Sequence, residues 1–177
     1  MVKTQKKISV QMLVITAFLA AMSVVFGKLL AINITSMIRI SFENLPVVLA
    51  GILFGPVVGA LVGGVADMVG CLLVGYAINP IITAGACCVG LIAGLVYRFL
   101  GFSGREKWRC LVAVLSGHVV GSMVVKTIGL FLAYDFPPVF FLIRVAIYLI
   151  IGIVEGTVVY LLLKAEAVRK IAGGERM

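Results

Sequence analysis

The sequence predicts an all-α membrane protein, six transmembrane helices packed as a compact bundle, and three observations predict it. The 177 residues are 63% hydrophobic and 12% charged, with a mean hydropathy of +1.24. A water-soluble domain is nearer about half apolar and about a quarter charged. A chain this short cannot hide so much apolar side chain from water, so lipid is its solvent. The second observation is that the apolar residues fall into long runs broken by short polar joints. The third is that glycines recur four apart within those runs: Gly51, Gly55, Gly59 and Gly63, then Gly90 and Gly94, Gly117 and Gly121, Gly152 and Gly156. Small residues at that spacing let helix backbones approach closely where lipid supplies no hydrophobic drive. No repeat of fixed period and no low-complexity stretch interrupts the pattern, so residues 1–177 are expected to form one integral membrane domain.

The elements follow in order. A basic lead carries Lys3, Lys6 and Lys7, and the first apolar run, about Val10 to Leu30, lacks the small-residue exit of a cleavable signal. The second run, about Leu45 to Phe54, is short, and Gly55-Pro56 breaks it from the third, about Val57 to Val74. The fourth is about Pro80 to Leu100, the fifth about Cys110 to Ala133, the sixth about Pro138 to Lys164. A spanning helix needs about 20 apolar residues. The second run reaches that length only by starting near Ile38 and taking in Arg39 and Glu43. A five-span alternative makes 39–54 re-entrant.

Charge placement orients the bundle. With six spans, one side holds Lys3, Lys6, Lys7, Arg98, Arg105, Lys107, Arg109, Lys164, Arg169, Lys170 and Arg176, eleven of the fifteen basic residues. The positive-inside rule makes that side cytoplasmic, with both termini on it. The net charge of +8 therefore marks ends that face anionic headgroups, not a nucleic-acid partner. Four cations remain, Lys28, Arg39, Lys126 and Arg144, against the anions Glu43, Asp67, Asp135 and Glu155. Ionisable groups in or beside hydrocarbon are expensive and are kept for a purpose.

These charges, with nearby aromatics, are the candidate site. Arg39 and Glu43 are four apart and pair if helical, as an interfacial salt bridge or as ligand contacts at the outer mouth. Asp67 sits ten residues past Val57, inside the third run, and must face a cavity, a cation or a bonded water. The joint Tyr76-Ala77-Ile78-Asn79-Pro80 offers an aromatic face and an amide, although Asn-Pro is also ordinary turn chemistry. Arg144 and Tyr148 share a face near the outer end of the sixth run. Lys126 and Arg144 either meet ligand or snorkel to the headgroups. His118, eight residues before Lys126, is expected to make an internal helix–helix hydrogen bond, and Glu155 to pair with a neighbour. Ala17, Ala20 and Ala21 lie along one stretch of the first run, either as internal packing or as a smooth stripe for a partner helix.

Absences exclude other classes. No GxxxxGK[ST], GxSxG or HExxH is present. The four cysteines, Cys71, Cys87, Cys88 and Cys110, form no CxxC, and with a single histidine a zinc site is not expected. No cofactor, metal or catalytic residue is expected. A small intramembrane enzyme built on Asp67, His118 or Glu155 remains the alternative from another class, weakened because no two of them fall at a catalytic spacing.

Arg39-Ile-Ser-Phe-Glu-Asn-Leu-Pro46, then Leu49-Ala-Gly51 and Phe54-Gly55-Pro56 with Gly59, then Ala66-Asp67, with Ala17 and Ala21 ahead, resembles the S component of an energy-coupling factor (ECF) vitamin transporter. The similarity is strongest over residues 39–100 and is nearest the folate-type members. The resemblance implies a six-helix subunit of the bacterial cell membrane that binds vitamin from the outer side. It also implies partners, a membrane coupling subunit (the T component) and two ATP-binding cassette ATPases, and no enzymatic activity of its own. The family's helix-1 alanine motif, its docking face for the coupling subunit, carries over to Ala17 and Ala21. Its outer loops, about residues 31–44 and 75–80 here, cover the ligand. Individual ligand contacts are chosen by chemistry. Glu43 and Asp67 suit the amino-pyrimidinone edge of a pterin. Phe42, Tyr76 and Tyr148 suit its flat ring, with Asn79 beside them. Arg39, Lys126 and Arg144 suit the glutamate tail. Riboflavin, pantothenate or a queuosine precursor are the alternative ligands.

Overall fold

A computed structural model describes residues 10–33, 39–100, 105–134, 137, 139–166 and 168. Lys3, Lys6, Lys7, Asp135, Pro138, Arg169, Lys170 and Arg176, and the 34–38 part of the first outer loop, lie outside the described residues. Among the described residues, seven α-helices form six rods. Helix α1 is Val10–Val24, continued by a π-helical stretch, Val25–Leu29. A two-residue antiparallel pair, β1 (Ile32–Asn33) and β2 (Arg39–Ile40), matches Ile32 with Ile40 and Asn33 with Arg39. Then come α2 (Asn44–Phe54), α3 (Pro56–Val74) and α4 (Pro80–Phe99). The fifth rod is α5 (Glu106–Gly117), a π-helical stretch (His118–Val125) and α6 (Lys126–Tyr134). The last is α7 (Val139–Lys164). The sequence-predicted boundaries hold to about one residue except that the fifth rod begins at Glu106, four residues before Cys110. Among the described residues, five rods have the length and apolarity to cross a bilayer.

The second rod is the exception, and it positions the site. Its eleven residues rise about 16 Å, roughly half the hydrocarbon thickness. The expected helical extension back to Ile38 does not form: Arg39 and Ile40 pair as a strand, and Glu43 is the residue before the helix. Pro46 is accommodated because it sits in the first turn, where its missing N–H has no partner to lose. All but two residues of α2 are buried. A helix apolar on every side belongs at the centre of a bundle, and this one packs between α3 and α4 with α1 against it.

Glycine makes that close approach possible. A Cβ added at Gly59 would lie 2.6 Å from the Cα of Gly51 and 2.7 Å from the carbonyl oxygen of Gly90. One added at Gly94 would lie 2.5 Å from the carbonyl oxygen of Gly51. Three backbones therefore meet at Gly51, Gly59 and Gly90/Gly94, and the i, i+4 pattern is their seam. Gly55 turns α2 into α3 at φ 111°, in the left-handed region that favours glycine, and Pro56 then starts α3 at its first position. Gly59→Leu is expected to destabilise the protein by about 1–3 kcal/mol, since the obstructing atoms are backbone and cannot rotate away. Thermal unfolding in detergent measures it, and a shift indistinguishable from wild type would show that the seam is loose.

Charge at the ends agrees with the sequence pattern. Arg98, Arg105, Lys107, Arg109 and Lys164 share the end that carries the α2–α3 turn, where the Arg98 guanidinium lies against Gly55. Lys28, Arg39, Glu43 and Tyr76 lie toward the opposite end.

Candidate ligand-binding site

Because α2 stops at Asn44, the half of the bundle above it is left to side chains from its neighbours. Glu43, immediately before the helix, is the hub. Its Oε2 accepts from Arg39 Nη2 at 2.8 Å and its Oε1 from Lys126 Nζ at 2.9 Å. Its carbonyl oxygen accepts from the Ser23 hydroxyl of α1 at 2.6 Å. Arg39 and Glu43 thus pair as their spacing predicted, but from a strand and a turn, not across one helical turn. Lys126 starts α6 directly after the π-helical stretch, and its stem runs against Gly85 of α4, where a Cβ would sit 2.6 Å from its Cγ. Its side chain is 8% exposed. A lysine carried this far inside needs a partner, and Glu43 is it.

The hollow beside this pair is lined by Ser23, Lys28, Glu43, Asn44, Asp67 and Lys126, with Gly27, Gly63, Ala66 and Ala86 supplying small surfaces. Its free space is about 20 Å³, room for about one water molecule. The small residues are required. A Cβ at Gly27 would lie 2.7 Å from Glu43 Oε2, and one at Gly70 would lie 2.6 Å from Lys28 Cε. Asp67 Oδ2 accepts from the Thr83 hydroxyl at 2.7 Å, so its partner is a hydroxyl of α4. Asn44 is 2% exposed, and its Nδ2 has no hydrogen-bond partner among the described residues. A buried amide without a partner costs free energy until an acceptor reaches it.

Of the sequence-selected residues, the fold brings together Arg39, Glu43, Asp67 and Lys126. Tyr76 stands at the rim, 66% exposed, with Lys28 Nζ 5.9 Å above its ring. Phe42 is exposed and does not line the hollow. Asn79 spends its Oδ1 on capping α4, accepting from the backbone N–H of Ile81 and Ile82 at 2.9 and 3.3 Å; turn chemistry accounts for it. Arg144 and Tyr148 share a face of α7, as their spacing implied, but that face meets the π-helical stretch. The Arg144 guanidinium lies 5.1 Å above the Tyr148 ring and donates a long bond to the Ser122 carbonyl at 3.5 Å. Neither lines the hollow. Tyr148 in turn packs 5.6 Å from the ring of His118, which bonds Glu155 at 2.7 Å with both side chains fully buried. That pair is the internal contact expected of each. Three contributors were not chosen from sequence. Lys28 is the one of the four remaining cations left without a role, which is a usable signal. Ser23 and Asn44 carry none, because short polar side chains in apolar runs are common.

Ala17 and Ala21 are exposed on α1 and Ala20 is half-buried, whereas Leu19, Ser23 and Gly27 turn inward. Ala17 and Ala21 therefore face away from the bundle, while Ala20 packs against the edge of the core.

Comparison with known proteins agrees with this architecture. A family model described as "ECF-type riboflavin transporter, S component" matches residues 7–170. An uncharacterised protein of Mycoplasma pneumoniae, an MG313 homolog, is 33% identical over 127 residues, 71% of this chain and 44% of that protein. Folate transporter FolT of Clostridium novyi (strain NT) is 35% identical over 68 residues, 38% of each. The match spans less than half the length of either relative. Among solved structures, FolT bound with folic acid is similar with a TM-score of 0.69 and 26% identity, over 84% of this chain and 91% of that one. The S-component for biotin from an ECF-type ABC transporter gives 0.67 at 19% identity, over 92% and 96%. The S component of a bacterial ECF transporter gives 0.60 at 19%, over 94% and 98%. The last two share the fold. With a family match over almost its whole length, this chain belongs to the S components of ECF-type transporters.

Proposed function

We propose that this S component captures folate or a related pterin from the outer side of the membrane and hands it inward with a T component and two ATP-binding cassette ATPases. The observation that carries the reading is the charged hollow above the short helix α2. Four ionisable side chains line it inside an apolar bundle, and a buried amide donor beside them lacks an acceptor among the described residues. Structural ion pairs alone give no reason for Asn44. Pterin chemistry does: the ring supplies N–H donors for Asp67 and a carbonyl acceptor for Asn44, and the acidic tail supplies carboxylates for Lys126, Lys28 and Arg39. Tyr76 at the rim offers a ring face. Similarity to FolT in sequence and in fold supports folate in particular. The basic residues at the α2–α3 end, with those of the termini, support an orientation with both termini cytoplasmic.

Riboflavin is the competing ligand, favoured by the description of the matching family model. The experiment that decides is ligand identity. The chain is purified in detergent, heated, and the released small molecule identified; folic acid and riboflavin are then added separately in thermal unfolding. A ligand at 100 times its dissociation constant adds about 2.7 kcal/mol of stability. A shift with riboflavin and none with folic acid would remove folate and leave the transporter reading standing.

The exposed alanine stripe of α1 serves docking to the T component. Replacing Ala17 and Ala21 together with Trp is expected to abolish uptake by cells expressing the whole transporter while leaving ligand binding within about twofold of wild type, since surface changes away from the site are nearly neutral. Loss of binding in that variant would place the stripe in the folding core instead.

A further inference from the structure

We propose that Glu43 is a built-in stand-in for the ligand: in the free protein its carboxylate holds the place on Lys126 that a carboxylate of the bound ligand takes over. The inference rests on reading the hollow as the vitamin site, and deepens it by naming the ligand as an acid. Space is the first ground. About 20 Å³ is free, and no ring system enters without displacing one of the side chains that fill the hollow. The Glu43–Lys126 pair closes it from opposite sides, 83 residues apart in sequence.

The two partners are not equally free to leave. Lys126 projects from a continuous rod, and its stem is wedged against Gly85. Glu43 belongs to the turn between β2 and α2; its main chain is tied through Ser23, and its side chain is held, among the described residues, only by the bonds to Arg39 and Lys126. Its side chain swings on its own rotamers while that anchor stays. Gly27 opposite leaves the room it occupies now.

Charge balance is the second ground. Lys28 and Lys126 balance Glu43 and Asp67 in the hollow while Glu43 is in place; once Glu43 turns outward to its partner Arg39, two cations face one carboxylate. Closing the hollow over a neutral ligand would bury the surplus positive charge, whereas a carboxylate cancels it. An incoming acid also replaces the Lys126 ion pair like for like, so Lys126 is never left bare, and Glu43 turns outward with Arg39, which is 34% exposed. A neutral ligand offers no such exchange.

Glu43→Gln tests this, because it keeps shape and removes the competing charge. Affinities for folic acid, pantothenate and biotin (acids) and for riboflavin (neutral) are measured by titration on wild type and variant. The expected result is that binding of the acid accepted by wild type tightens about tenfold in the variant, through faster association, because the competent state no longer has to be released. Glu43→Asp, which keeps the charge but shortens the reach by one methylene, is expected to fall between, and it serves where the glutamine variant is poorly folded. Weaker binding of the accepted acid in Glu43→Gln would overturn the proposal and make Glu43 a direct ligand contact. Binding of riboflavin alone, or of none of the acids by either form, would also overturn it. Tightening of pantothenate or biotin with no binding of folic acid would remove folate and leave the stand-in intact.

Discussion

Glu155→Ala is expected to lower stability by about 3–5 kcal/mol, the cost of removing one partner from a buried polar pair. Glu155 and His118 are both fully buried and bonded at 2.7 Å across the seam between α7 and the π-helical stretch. Wherever their proton resides, His118 has no second bond to fall back on, because its Nδ1 lacks a partner among the described residues. The alanine also leaves a void where the fully buried Glu155 side chain stood. The double variant His118→Leu/Glu155→Met is expected to recover most of the loss, since an apolar pair of similar volume replaces a buried polar one with little penalty. Denaturation in detergent of both single variants and the double gives the coupling directly. If Glu155→Ala costs under about 1 kcal/mol, the pair is not what holds α7 to the fifth rod. Ligand affinity should survive in any variant that folds, because neither residue lines the hollow.

That pair also shows what is readable from sequence. A lone histidine and a lone glutamate deep in apolar runs announce that each needs a partner, because hydrocarbon leaves no alternative. Their choice of each other, 37 residues apart, depends on how α7 lies against the fifth rod, which no spacing reveals. The helices were legible for the same reason: bilayer thickness fixes a length, and Gly55-Pro56 and Asn79-Pro80 punctuate it. Arg39 was misjudged because an i, i+4 charge pair looks helical. The salt bridge is real, but a strand and a turn deliver it. Arg144 and Tyr148 share one face as their spacing implies, but that face meets the π-helical stretch and not the hollow, since period gives a face and not its neighbour. Asn44 was missed although it adjoins Glu43, because burial of its amide arises from α1, α3 and α4 closing round the end of α2.

Lys126→Met is the substitution expected to damage binding most. The methionine keeps an unbranched stem against Gly85 and removes only the ammonium. Truncating one partner of a buried charge pair costs about 2–5 kcal/mol, thirtyfold or more in affinity, and the loss falls on dissociation. For an acidic ligand that loss should show, reduced by the roughly tenfold cost of releasing Glu43 that the variant is spared; riboflavin, with no carboxylate to place on Lys126, should lose no affinity. Arg39→Ala is expected to cost the acid less than about tenfold, since a guanidinium one-third exposed is screened by water and salt. Titrations at low and high salt separate the two cations: the Arg39 contribution fades with added salt and the Lys126 contribution persists, because only the second lies inside the bundle. Equal losses for folic acid and riboflavin in Lys126→Met would mean that the lysine shapes the hollow and does not read the ligand's charge.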